Sequence, residues 1–113
     1  MTQTTIDAPT FKALQDAAGA DFVAELVQTF IGEAPNMIAD LRSALDAGDA
    51  ERFRRVAHSL KSNSHTFGAM ALGALARDLE LGGVQAARAR DDALVAVRQE
   101  YARVAERLKE LCR

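Results

Sequence analysis

The sequence predicts an all-α fold, an antiparallel four-helix bundle with a short additional helix at its N-terminus. Three observations predict it. The 113 residues include 23 alanines and only two prolines, a composition that favours helix. Apolar residues recur at steps of three and four through four long segments, the spacing of one buried helical face. No segment alternates with the period of two that a half-buried strand requires.

The short first helix is expected to begin near Thr10, with Pro9 just before it and Phe11 and Leu14 on one side, and to stop at Gly19. Asp21 is the expected N-cap of a second helix, its carboxylate accepting from an orphan N–H of the first turn. That helix carries Phe22, Val23, Leu26, Val27 and Phe30, then Met37, Ile38, Leu41 and Leu45. Pro35 falls inside the pattern and removes one backbone bond, so a kink is expected there. The stripe resumes in phase beyond it. Gly48 suits the left-handed position that ends a helix, and Asp49 suits the cap of the next. The third helix is expected from about Ala50 to His65 or Thr66, with a break at Gly68. The fourth carries Met70, Leu72, Leu75 and Leu79 and is expected to stop at Gly82-Gly83. The last shows Leu94, Val97, Tyr101, Val104, Leu108 and Leu111, the 3–4 seam of left-handed helix packing. Residues 1–8 are read as a tail and 9–113 as the bundle.

Composition excludes several classes. Lys plus Arg is 14 and Asp plus Glu is 16, a net charge of −2 with a pI near 5.6. A general grip on nucleic acid or on an anionic membrane is therefore not expected. The single cysteine, Cys112, allows no intramolecular disulfide. The opening residues lack the basic region and apolar run of a signal peptide, and no stretch approaches the roughly 20 apolar residues that span a bilayer. A cytoplasmic location is the expectation.

The third helix carries the functional information. Its core stripe is Phe53, Val56, Ala57 and Leu60, continuing towards Ser64 and Phe67. At about 100° per residue, His58 points roughly 150° away from the centre of that stripe. Arg54, Lys61, Ser62 and His65 fall on the same outward face. A surface histidine in a helical domain is ordinarily incidental, and basic residues around one are ordinarily a solvated face. A metal site suits the pattern poorly. His58 and His65 are two turns apart, roughly 10 Å along the axis, without the i, i+4 spacing that chelates zinc, and no carboxylate or thiol shares their face.

The string Ala57-His58-Ser59-Leu60-Lys61-Ser62-Asn63-Ser64, followed by Phe67-Gly68-Ala69 and by Asp78-Leu79-Glu80, resembles the histidine-containing phosphotransfer (HPt) domain. That family's pattern is His-x-Leu-Lys-Gly, a second glycine ten residues after the histidine, and Leu-Glu late in the next helix. His58, Leu60, Lys61, Gly68, Leu79 and Glu80 match it. Phe30, Pro35 and Gly48-Asp49 also sit where the family places such residues, so the resemblance covers about residues 10 to 112. One position departs: Ser62 stands where the family most often has glycine. Serine is still small, leaves room for a partner to approach the imidazole, and can hydrogen-bond a phosphoryl oxygen.

The resemblance implies a phosphorelay intermediate in two-component signal transduction. His58 would accept a phosphoryl group from an aspartate of a response-regulator receiver domain and pass it to another receiver aspartate. Neutral imidazole is a competent nucleophile near pH 7. Lys61, one turn away, would place an ammonium beside the phosphoryl group, with Arg54, Ser62 and His65 as further phosphoryl or docking contacts. Gly68 is assigned to the turn. No glycine-rich phosphate loop and no acidic cluster for a metal is visible. The chain is therefore expected to have no ATP site and no cofactor of its own, Mg²⁺ coming with the receiver. The implied partners are receiver domains and a hybrid sensor histidine kinase, and the expected state is a monomer. Two other functions use the same residues differently: a non-catalytic adaptor that binds a receiver or regulator, and a dimerisation module built on the seam of the last helix.

Overall fold

A computed structural model describes residues 5–90 and 92–112. Five helices follow one another: α1 (Ala8–Ala18), α2 (Ala20–Ala47), α3 (Ala50–Thr66), α4 (Met70–Arg88) and α5 (Ala93–Leu111). The last four pack as a ring, α2 on α3, α3 on α4, α4 on α5 and α5 back on α2, with α1 laid against α2 and α3. This is the four-helix bundle with a short extra helix that the periodicity predicts. The core runs through Val23, Val27, Leu41, Phe53, Leu60, Leu72, Val97, Val104 and Leu108, all fully buried.

Several boundaries differ from those expected, each for a local reason. α1 starts two residues earlier, at Ala8, because Asp7 caps it: its carboxylate accepts from the Thr10 amide at 3.2 Å. Pro9 thus lies inside the first turn, where a missing N–H costs nothing. The supposed tail is also shorter, since Ile6 is 3% exposed and the Asp7 amide donates to the Gly68 carbonyl at 2.8 Å. Asp21 does not cap α2. Gly19 holds the cap position at φ 94°, making the one-residue corner from α1, and Asp21 falls in the first turn, where its charge still faces the positive end of the helix dipole. Asp49 does cap α3, accepting from the Arg52 amide at 3.2 Å. Phe22 and Met70, placed in apolar stripes by their spacing, are 52% and 43% exposed.

α4 does not end at Gly82-Gly83. Gly83 leaves helical geometry (φ 73°, ψ −172°), and the helix then resumes to Arg88. Val84 and Ala87 beyond the kink are buried, and Arg88 donates from Nη2 to the Leu45 carbonyl at 2.9 Å. The extra turn therefore covers the carbonyl end of α2, adding a second donor to the Leu45 oxygen that the Gly48 amide already reaches at 3.2 Å.

At Pro35 the second helix continues without interruption from Ala20 to Ala47. Proline cannot donate to the carbonyl four residues back, here that of Ile31. Tyr101 of α5 supplies the missing donor, its hydroxyl lying 2.9 Å from the Ile31 oxygen. The Tyr101 ring packs edge-on to Phe30 at 6.1 Å, and Phe30 packs in turn on Phe67 at 5.3 Å.

Candidate functional site

His58 stands at the middle of α3, eight residues from either end. Phe53, Ala57, Leu60 and Ser64 bury the inner face of that helix; Ser64 is accommodated there because its hydroxyl donates to the Leu60 carbonyl at 2.7 Å. The opposite face is left to solvent, and the His58 side chain is 58% exposed. The outward direction found by helical arithmetic is the direction observed.

A carboxylate from α4 meets the histidine. Glu80 Oε2 lies 2.7 Å from His58 Nδ1, and Glu80 Oε1 lies 2.8 Å from the Lys61 ammonium. Glu80 Oε1 is shut off from solvent and sits outside hydrogen-bond alignment with any donor among the described residues, so its contact with Lys61 is an ion pair. The Lys61 ammonium first, and then His58, hold the Glu80 carboxyl below the usual carboxylate range, against the upward push of partial burial. An ionised Glu80 is an acceptor only. The proton of a neutral His58 ring is thereby drawn to Nδ1, and Nε2 keeps its lone pair.

The sequence expectation that no carboxylate shares the face of His58 does not hold: Glu51, two turns earlier on α3, lines the same cleft, and a second carboxylate arrives from α4. Glu80 lies 22 residues further on and reaches the ring across the α3–α4 contact. It belonged to the quoted Leu79-Glu80 pair, yet nothing local to α3 signals its role. Lys61 is brought to the site and is 23% exposed, engaged on Glu80. Arg54 lines a cleft of about 340 Å³ next to His58, together with Glu51, Arg55, Ser59 and Glu80. Ser62 is exposed one turn beyond His58. His65 is not brought to the cleft; its imidazole lies over Gly73 of α4, where a Cβ would overlap it.

Gly68 is the turn residue expected. It is buried at φ 83°, and a Cβ there would stand 2.9 Å from the Asp7 carbonyl oxygen. The glycine lets the N-terminal segment close against the end of α3.

The family model for the Hpt domain matches residues 25–112. The chain belongs to the Hpt domain family. Its bundle is also similar to the crystal structure of histidine-containing phosphotransfer protein B (HptB) from Pseudomonas aeruginosa PAO1. That likeness has a TM-score of 0.85 and 26% identity, over 98% of this chain and 96% of the other. A comparison with curated proteins finds no match. As an Hpt domain the chain is a histidine phosphotransfer intermediate of phosphorelays, a carrier of phosphoryl groups. No helix among the described residues is long and apolar enough to cross a membrane.

Proposed function

We propose that His58 is the phosphoacceptor of this Hpt domain, and that Nε2 is its reacting atom. The observation that carries the assignment is the Glu80 contact at Nδ1, 2.7 Å long, on an otherwise exposed ring. The Nε2 lone pair attacks the phosphorus of a receiver's aspartyl phosphate. The P–O bond to the aspartyl carbonyl carbon's oxygen breaks, and the aspartate leaves as carboxylate. The ring keeps its Nδ1 proton and becomes a phosphorylated imidazolium, whose positive charge the Glu80 carboxylate faces. Attack by another receiver's aspartate on the same phosphorus runs the sequence in reverse.

Such a transfer asks little covalent chemistry of the protein. It depends on in-line positioning and on neutralising the phosphoryl oxygens. A mid-helix side chain on a packed bundle supports the positioning, since the scaffold holds the ring without a mobile loop. The partners on this reading are receiver domains, one of them within a hybrid sensor kinase. The receiver brings its own Mg²⁺, and this chain binds neither ATP nor a cofactor. The setting is cytoplasmic, and the working state is a monomer that meets each partner transiently.

The test is phosphoryl transfer from a phosphorylated receiver domain, with wild type and His58→Gln side by side. The expected product is labelled wild type alone, with a label labile in acid and stable in base. Equal labelling of His58→Gln places the chemistry at another residue. Binding of several receivers without transfer from any of them makes the chain an adaptor.

A further inference from the structure

In the unphosphorylated protein Lys61 is already committed. Its ammonium lies 2.8 Å from Glu80 Oε1, so the positive charge one turn from the acceptor is largely balanced by a carboxylate. A phosphoryl group adds about 1.5 to 2 negative charges and three strong acceptor oxygens, and these need donors of their own.

The cleft at His58 holds two candidates. Arg54 and Arg55 both line it, and both are exposed. Among the described residues, ion pairs engage Lys12, Arg42, Arg52, Lys61, Arg90 and others, but neither Arg54 nor Arg55. At about 100° per residue, Arg54 stands about 40° to one side of His58 and Arg55 about 60° to the other, one turn towards the N-terminus. Helical side chains lean towards the N-terminus of their helix. The His58 ring is therefore carried above the turn that bears the arginine pair. Glu51 lines the same cleft and is its remaining negative charge besides Glu80.

We propose that Arg54 and Arg55 are the phosphoryl-binding groups of this domain, straddling the phosphorylated imidazole and donating to its oxygens, while Lys61 acts through Glu80 as a positioning residue. The proposal rests on His58 being the acceptor. A guanidinium suits the role because its planar fork matches two phosphoryl oxygens at once, which an ammonium does not.

The full chain can be phosphorylated with phosphoramidate: its P–N bond breaks with loss of ammonia as phosphorus bonds to the His58 ring. The ³¹P resonance, followed across pH, reads the protonation of the phosphorylated imidazole, which the charges around its phosphoryl oxygens and its ring set. Arg54→Ala and Arg55→Ala should each raise the midpoint of that titration and slow labelling several-fold, and the double variant should slow it about ten-fold, equivalent to about 1.4 kcal/mol. Arg54→Lys should retain part of the midpoint shift, since charge remains and the fork is lost. Lys61→Ala should move the midpoint only through Glu80, leaving it in place in a Glu80→Gln background, and should change the ring ¹⁵N shifts of unphosphorylated His58, which report where its proton sits.

A double alanine variant with an unmoved midpoint overturns the arginine assignment, and so does a midpoint that follows Lys61→Ala in the Glu80→Gln background. If His58→Gln labels as well as wild type, the acceptor assignment itself falls and takes this proposal with it. Acid-labile label confined to His58, with the double variant unchanged, removes the arginine assignment alone.

Discussion

At the scale of single residues, Glu80 is the side chain on which the site turns. One of its oxygens meets the nitrogen of His58 and the other the ammonium of Lys61. Replacing it by glutamine keeps an acceptor for the Nδ1 proton but removes the charge. The charge-assisted contact is the stronger of the two and opposes the positive charge that develops on the ring, so Glu80→Gln should slow phosphoryl transfer; single-turnover transfer rates check this. The same carboxylate predicts an acid dependence. Lys61, and after it His58, lower its ionisation in the folded protein. Its contribution to stability is therefore present above the ordinary carboxylate value of about 4.3 and is lost as pH falls through the lower folded value. Thermal melting of wild type and Glu80→Gln should differ near neutrality and converge in acid; a gap that persists at pH 2 contradicts the assignment. The outward aim of His58 was legible because helical arithmetic needs only the apolar stripe beside it. The contact with Glu80 was not, because spacing within one helix says nothing about which residue of another arrives opposite.

At the scale of elements, two irregularities are met by named groups elsewhere in the chain. Pro35 leaves the Ile31 carbonyl without its usual donor, and the Tyr101 hydroxyl replaces it at 2.9 Å. Burial of that phenol pushes its ionisation up, so it remains a donor through the neutral range. Tyr101→Phe should cost about 1 kcal/mol, seen as a lower urea midpoint at unchanged slope; an unchanged midpoint would show that water satisfies Ile31 equally well. Gly83 is held at φ 73°, ψ −172°, a region essentially confined to glycine. Gly83→Ala should cost about 1 to 3 kcal/mol and loosen the turn that carries Arg88 onto α2, with amide exchange rising first at Val84–Arg88. The glycine pair was recognised as an interruption, and the sequence could not say that the helix resumes beyond it. What decides that is tertiary: Val84 and Ala87 find a buried surface, and Arg88 finds the Leu45 carbonyl at the end of α2. Asp21 shows the reverse case, where a good capping residue is passed over because Gly19 makes the tighter corner.

At the scale of the whole molecule, the regular seam of the last helix is occupied from within. Leu94, Val97, Val104 and Leu108 are each at most 3% exposed in the single chain, and Tyr101 is tied to α2. No apolar stripe of α5 is left to pair with a second copy through that seam. Sedimentation should therefore give a mass near 12.2 kDa that does not change with concentration; a mass rising towards twice that value would contradict it. The four-helix architecture was readable because each long helix carries one continuous apolar face, and four such faces have few ways to be covered together.

The position of His58 at the midpoint of α3, eight residues from each end, has a further consequence. Among the described residues a ring fixed there lies on continuous helix, away from any loop of α3, so a phosphoryl group added to it has no adjoining loop to order or release. Such a molecule stores its message as charge rather than as shape. Phosphorylation should move the native electrophoretic mobility by about one charge at neutral pH, the phosphoryl group's negative charge being partly offset by the imidazolium that carries it, from a formal net charge of only −2, while backbone resonances distant from α3 and α4 stay where they were. Whatever reads the message has to touch the phosphoryl group itself.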